Sequence, residues 1–314
     1  MELWIPITVA AALFQNIRTA LQKHLKGRLD TTGATYTRFL YAVPFTWVYL
    51  TALLNFQSSA TNTLPPINVT FLSYGAVGGI AQILATFLLV WLFGQRNFAV
   101  GTSLTKTEAI QTALFGFVLL GDNLSIQAVA GIIISLVGVL ALYQKKKQDT
   151  SAPFTKSTKL ITRVLRAITT DRSILPGLVA GGLFAVSAVS YRAASLSLGE
   201  GGFAIQSAYT LVWVTGFQTL IMGGYILSTS PNVFIRVLQS WKAAIWIGLT
   251  GMLGSAGWFA AMTLENAAHV RTLGQVELIF TLIIGYLFFK ERLKRIELIG
   301  IALITAGIIT LILE

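Results

Sequence analysis

An all-α integral membrane protein, with ten transmembrane helices as two inverted five-helix repeats, is the fold this sequence predicts, and three observations carry the prediction. Hydrophobic residues fill 54% of the 314 positions and charged residues only 11%, where a soluble domain carries about a quarter charged. The mean hydropathy is +0.72, concentrated in ten apolar runs, each close to the roughly 20 residues that cross a bilayer. The last runs of the second half repeat those of the first at an offset of 169 residues.

The first run, 4–22, follows the start "MELWIPITVAAALF", whose acidic Glu2 and lack of an early basic residue argue against a cleavable signal. The second, 34–54, begins near Arg38, which reads as an interface anchor. The third is 70–93, the fourth 98–119 between Arg96 and Asp122, and the fifth 125–143. The second half gives 174–194, 203–227, the glycine-rich 243–262, 268–289 and 296–313. None alternates polar and apolar residues as barrel strands do. Residues 1–144 are thus read as one five-helix repeat, 145–173 as a basic cytoplasmic linker, and 174–314 as the second repeat. Within the linker, Leu160, Ile161, Val164, Leu165 and Ile168 recur at helical spacing, as in a helix lying on headgroups, although a plain linker fits as well.

The net charge of +11 is placed rather than spread. Odd-numbered loops hold most of the 23 basic residues, from Lys23, Lys26 and Arg28 through the linker to Lys290, Arg292, Lys294 and Arg295. The opposite loops offer Asp122, Glu200 and Glu265. Positive-inside bias puts the odd-numbered loops in the cytoplasm and both termini outside, in a bacterial inner membrane. The basic charge is topological, so no nucleic-acid partner is expected.

No cysteine is present, which excludes disulfides and thiolate chemistry. His24 and His269 sit near span ends without metal-ligand spacing, and "GEGG" at 199–202 lacks the context of a phosphate loop. No cofactor, metal or catalytic residue is expected, and an enzyme ranks last among the possible functions.

At the offset of 169, Asn97 meets Asn266, Glu108 meets Glu277, Thr112 meets Thr281 and Gly116 meets Gly285. Further on, Asp122 meets Glu291, Gly131 meets Gly300 and Gly138 meets Gly307. An odd number of helices per unit forces the second to enter the membrane upside down. The loops agree: "KHLKGR" is answered by "LSLGEG", Arg96 by Glu265, and "GDNLS" by "KERLK". Inverted repeats of this kind are the hallmark of carriers that alternate access. Gly131 and Gly138, like Gly300 and Gly307, are two turns apart, so each pair clears one face for close helix packing.

The segments "TALFGFVLLGDNLSIQAVAGIIISLVGVLAL" and "TLIIGYLFFKERLKRIELIGIALITAGIITLIL" carry a family resemblance. Each resembles the end of a repeat in the EamA-type branch of the drug/metabolite transporter superfamily: an apolar helix, a short charged turn, then a helix with glycines two turns apart. The resemblance implies a central cavity between the halves and movement of small metabolites, often amino acids and often outward. Small multidrug-resistance relatives use a glutamate in their first helix. Here that helix offers Gln15, Asn16 and Arg18 instead, so their coupling scheme does not transfer.

Glu108 and Glu277 lie near the middle of their spans, roughly 15 Å from either surface, where inverted-repeat carriers place their sites. Lys106 is two residues from Glu108, about 200° around a helix, so the two need partners elsewhere. Thr105, Gln111 and Thr112 share a face with Glu108, while Arg271 and Gln275 form a stripe beside Glu277. A charge at this depth costs at least about 2.5 kcal/mol, so these residues are candidates for substrate binding or coupling. The structural alternative is an interhelical pair such as Lys106 with Glu277, and the two roles are compatible. Arg18 and Arg192 either snorkel to headgroups or recognise a carboxylate or phosphate. Tyr191 and Trp258 are candidates for stacking on substrate, and Trp4 and Trp241 fit the interfacial belts.

The expected function is secondary transport of a small polar or zwitterionic metabolite, amino-acid-like compounds first, with protons as a possible coupling ion. A lipid or lipid-linked-sugar flippase is the alternative, and a non-transporting scaffold the third reading. The expected partners are the small-molecule substrate and the lipid bilayer.

Overall fold

The computed structural model describes residues 2–25, 28–56, 64–95, 105–148, 174–280 and 295–313. The linker from residue 149 to 173, with its candidate surface helix, lies outside these residues, as do Arg96, Gly285, Glu291 and the "KERLK" turn, while the helix before it runs on through residues 145–148. The described residues form helices α1 (Trp4–Leu25), α2 (Thr31–Leu40), α3 (Val43–Phe56), α4 (Val69–Gln95), α5 (Glu108–Leu120) and α6 (Ile126–Gln148). The second half gives α7 (Ile174–Ser197), α8 (Gly202–Thr229), α9 (Pro231–Gln239), α10 (Trp241–Leu264), α11 (Ala267–Leu273) and α12 (Arg295–Ile312). Among the described residues, five segments are long and apolar enough to cross a membrane: Thr31–Phe56, Val69–Leu92, Leu175–Ser197, Gly202–Thr229 and Trp241–Leu264.

Three of the expected continuous spans are interrupted. The second breaks into α2 and α3 at Tyr41 and Ala42. Pro44 has no N–H to bond the Leu40 carbonyl, so the helical ladder lapses there. Gly248 of α10 fits into the break, where a Cβ would stand 2.3 Å from the Tyr41 carbonyl carbon. The fourth span turns at Lys106 and Thr107 before α5, and the ninth turns at Gly274 and Gln275 after α11. In the ninth the chain tightens: the N–H groups of Gln275, Glu277 and Leu278 bond carbonyls three residues back, at 3.1, 3.1 and 2.9 Å. The two breaks fall at matching places of the repeat, just ahead of Glu108 and Glu277.

The halves interlock pairwise. α1 packs on α10, and the equivalent first helix of the second half, α7, packs on α4. α6 and α12 lie antiparallel in backbone contact. A Cβ at Gly131 would meet the Gly307 carbonyl oxygen at 2.7 Å, and one at Gly138 the Gly300 oxygen at 2.8 Å. The repeat offset turns the first contact into the second, as a two-fold relation between the halves requires.

α9 is an extra short helix begun by Pro231 at its first turn. Its Val233 and Val237 close on Gly33 of α2, and the Tyr41 hydroxyl donates to the Val237 carbonyl at 3.1 Å. At the other end of the chain's first helix, Trp4 is 5% exposed and packed in the core, whereas Trp241 stays 53% exposed. The belt role expected of Trp4 is therefore replaced by packing.

Candidate functional site

The broken helices deliver their charges to one cavity between the halves. Lys106 Nζ lies 2.7 Å from Glu277 Oε2, and Arg271 lies 3.6 Å from Glu108 Oε1. Each carboxylate thus faces a cation carried by the other repeat's broken helix. The repeat would have matched Lys106 with Gln275. Gln275 instead turns away to accept a hydrogen bond from Ser135 of α6, and Arg271, one turn earlier, supplies the second cation.

All four charged side chains are buried. The turns explain how a helix can present them so. A chain leaving helical geometry at Lys106 can turn both Lys106 and Glu108 toward one cavity, whereas a continuous helix would hold them about 200° apart. Gln15 of α1 adds a hydrogen bond to Glu277 Oε2 at 2.9 Å, and Asn16 donates to the Glu277 backbone carbonyl at 3.2 Å.

Trp258 and Tyr191 form the aromatic part of the wall. Trp258 carries the Arg271 guanidinium over its ring at 4.8 Å, a cation–π contact. Gly274 makes that position possible, because a Cβ there would sit 2.4 Å from the Trp258 ring. The Tyr191 hydroxyl reaches the Gly78 carbonyl at 2.9 Å and Gln82 Oε1 at 3.0 Å, and its ring stacks on Phe259. Gln218 donates to Gln82 Oε1 at 2.9 Å, which fixes the amide.

Of the residues singled out from the sequence, Gln15, Arg18, Thr105, Lys106, Glu108, Tyr191, Trp258, Arg271 and Glu277 line the cavity. Asn16, Gln111, Gln275 and Arg192 are not among its lining residues. Gln111 packs its amide over Gly181 and Gly182 of α7 and bonds the Thr107 hydroxyl at 3.0 Å. Arg192 grips the end of α10: it donates to the Met262 carbonyl at 2.8 Å and to the Glu265 carbonyl, with Asp122 at 3.9 Å. Cations at a helix C-terminus complement its unpaired carbonyls.

Arg38 and Gln82 line the cavity and were not expected there. Arg38 is 5% exposed and donates to the Thr86 hydroxyl at 2.9 Å, rather than anchoring at an interface. The reason is where α2 starts. Asp30 caps it, accepting from the Gly33 N–H at 3.0 Å, so the helix opens at Thr31 and carries Arg38 two turns inward. Gln82 had a weak signal, an amide amid an apolar run one turn before Thr86.

The chain has relatives among known proteins. The profile of the EamA-like transporter family matches residues 2–144 and 174–313, once in each half. A relative from Sinorhizobium sp, described as an uncharacterized transporter in cobO 3'region, is 33% identical over 105 residues, which is 30% of this chain and 74% of that protein. A crystal structure described only as that of a protein, 16% identical, superposes with a TM-score of 0.69 over 99% of this chain and 96% of the other; this likeness speaks for the fold alone. With both halves matched by one family profile, the chain belongs to the EamA-like transporter family and is a membrane transporter of small molecules, not an enzyme.

Proposed function

We propose that the chain is a secondary active transporter that moves a small polar or zwitterionic metabolite outward through this cavity by alternating access, with amino acids and related compounds as the first class. The observation that carries this reading is the Lys106–Glu277 pair at 2.7 Å beside Arg271–Glu108, both facing one cavity from broken helices. Broken helices with charges at the repeat interface are how inverted-repeat carriers hold polar cargo. The cross-repeat pairing also gives a route for coupling. Neutralising one member of the Lys106–Glu277 pair would free the other and loosen one half from the other, and protons are the coupling ion proposed. The asymmetry of the basic loops supports a bacterial inner-membrane location, with odd-numbered loops cytoplasmic and both termini outside.

Purified protein in liposomes tests the reading. Radiolabelled solutes of this class should exchange across the membrane and respond to an imposed pH gradient. Glu277→Gln should abolish the gradient response. Exchange unchanged by both Glu277→Gln and Glu108→Gln would return the two carboxylates to a purely structural role.

A further inference from the structure

We infer that the cargo is a small anion, whose carboxylate or phosphate oxygens seat between Arg18 and Arg38. The inference rests on the carrier reading above and, among its small polar metabolites, puts anions ahead of the amino-acid class.

The cavity's described lining carries four cationic side chains, Arg18, Arg38, Lys106 and Arg271, against two carboxylates, Glu108 and Glu277. Both carboxylates are engaged, by Lys106 and by Arg271. Among the described residues, neither Arg18 nor Arg38 has a carboxylate within ion-pairing distance. Both are deeply buried, at 3% and 5% exposure.

Their hydrogen bonding is just as incomplete. A guanidinium has five N–H donors. Among the described residues, Arg18 makes one bond, to the Thr19 hydroxyl at 3.3 Å, and its Nε has no partner. Arg38 makes one among them, to Thr86. Buried guanidinium groups with no carboxylate in contact are disfavoured unless a counter-ion joins them.

The two side chains also converge. A Cβ on Gly251 of α10 would be 3.4 Å from Arg18 Cδ and 3.7 Å from Arg38 Cγ, so both stems cross the same bare patch of helix. Two guanidinium forks lining one cavity match the oxygens of a doubly charged group or of two carboxylates, through paired charge-assisted hydrogen bonds. A neutral zwitterion fits less well: its carboxylate suits an arginine, but its ammonium finds both glutamates already taken. The class indicated is therefore a dicarboxylate or a phosphomonoester.

The experiment uses full-length protein, with thermal stability measured at constant ionic strength in succinate, glycerol 3-phosphate, serine and putrescine, followed by counterflow of the same solutes in liposomes. Succinate, glycerol 3-phosphate or both should stabilise the protein and exchange, and which of them does so separates carboxylate from phosphate recognition. Arg18→Gln and Arg38→Gln should each weaken that response by roughly tenfold or more, as expected for a lost charge-assisted bond. Arg18→Lys and Arg38→Lys, which keep the charge and lose the fork, should fold and recover part of it. Serine exchange without a response to either dianion overturns the anion inference and leaves the carrier standing. A dianion response that survives both glutamine variants overturns it as well. Absence of both stabilisation and exchange for all four solutes overturns the anion inference as well, and the pH-gradient assay on Glu277→Gln then tests the carrier reading separately.

Discussion

Lys106 and Glu277 meet at 2.7 Å although 171 residues separate them, and each follows or adjoins a break in its own transmembrane helix. The pair ties one half of the chain to the other in the depth of the protein, with both side chains 7% exposed. Its position makes it both a strut and a part of the cavity wall.

Removing one member of the pair leaves an uncompensated buried charge, which costs about 3–5 kcal/mol. Lys106→Met should therefore destabilise the protein by that order. Lys106→Met combined with Glu277→Gln should cost less than the two single changes added together. Unfolding in detergent across the four members of this cycle measures the coupling; additive losses would mean that the pair does not hold the halves together.

The crossing of α6 and α12 predicts a matched set of effects. A Cβ at Gly307 would fall 2.5 Å from the Gly131 oxygen, so Gly307→Ala must push two backbones apart. Overpacking of this sort costs about 1–3 kcal/mol. Gly138→Ala, whose Cβ would meet the Gly300 oxygen, should behave alike, while Gly216→Ala, with nothing within 4 Å, should be close to neutral. Thermal denaturation of the three variants decides it.

Gly274→Ala strikes a different target. The new methyl would meet the Trp258 ring at 2.4 Å and displace it from beneath Arg271. The expected result is altered fluorescence of Trp258, measured in a background with the other tryptophans replaced, together with impaired transport. Unchanged emission would show that the ring is not held there.

A pH effect is expected on the turn between α10 and α11. Glu265 faces His269 Nδ1 at 3.1 Å and accepts from the Asn266 N–H at 2.7 Å. The hydrogen bond with His269 is the main cause that holds its carboxyl below the usual 4.5, with the Asn266 N–H adding to it against the opposing effect of burial. The stabilisation is present above that usual value and fades as pH falls through the lower folded one. Wild type should thus lose stability below about pH 4.5 more steeply than Glu265→Gln does. Parallel acid titrations of the two proteins, followed by circular dichroism, test the sign.

The ten apolar runs and the offset linking the halves were readable because hydropathy and repeat register both survive in the linear order of residues. The breaks were not. Hydropathy reports whether a stretch is apolar enough, and the residues around Lys106 and around Gly274 sit in runs that satisfy it whether or not the helix is continuous. The partners of Glu108 and Glu277 were half legible: their depth followed from their spans, but the choice of Arg271 over Gln275 depends on how the chain turns at Gly274. Arg38 was misplaced by a helix start three residues too late, enough to exchange a surface position for an interior one. Arg192 was ambiguous for another reason, since the carbonyls it binds belong to a helix 70 residues away in the chain.

The Gly131–Gly307 and Gly138–Gly300 crossing has a mechanical consequence. Where carbonyl oxygens rest against bare Cα atoms, no side chain can swing aside, and sliding one helix along the other would drive Ser135 and Leu311 into the opposing backbone. α6 and α12 therefore form a rigid spine, and any rocking during the transport cycle must be taken up by the helices around it.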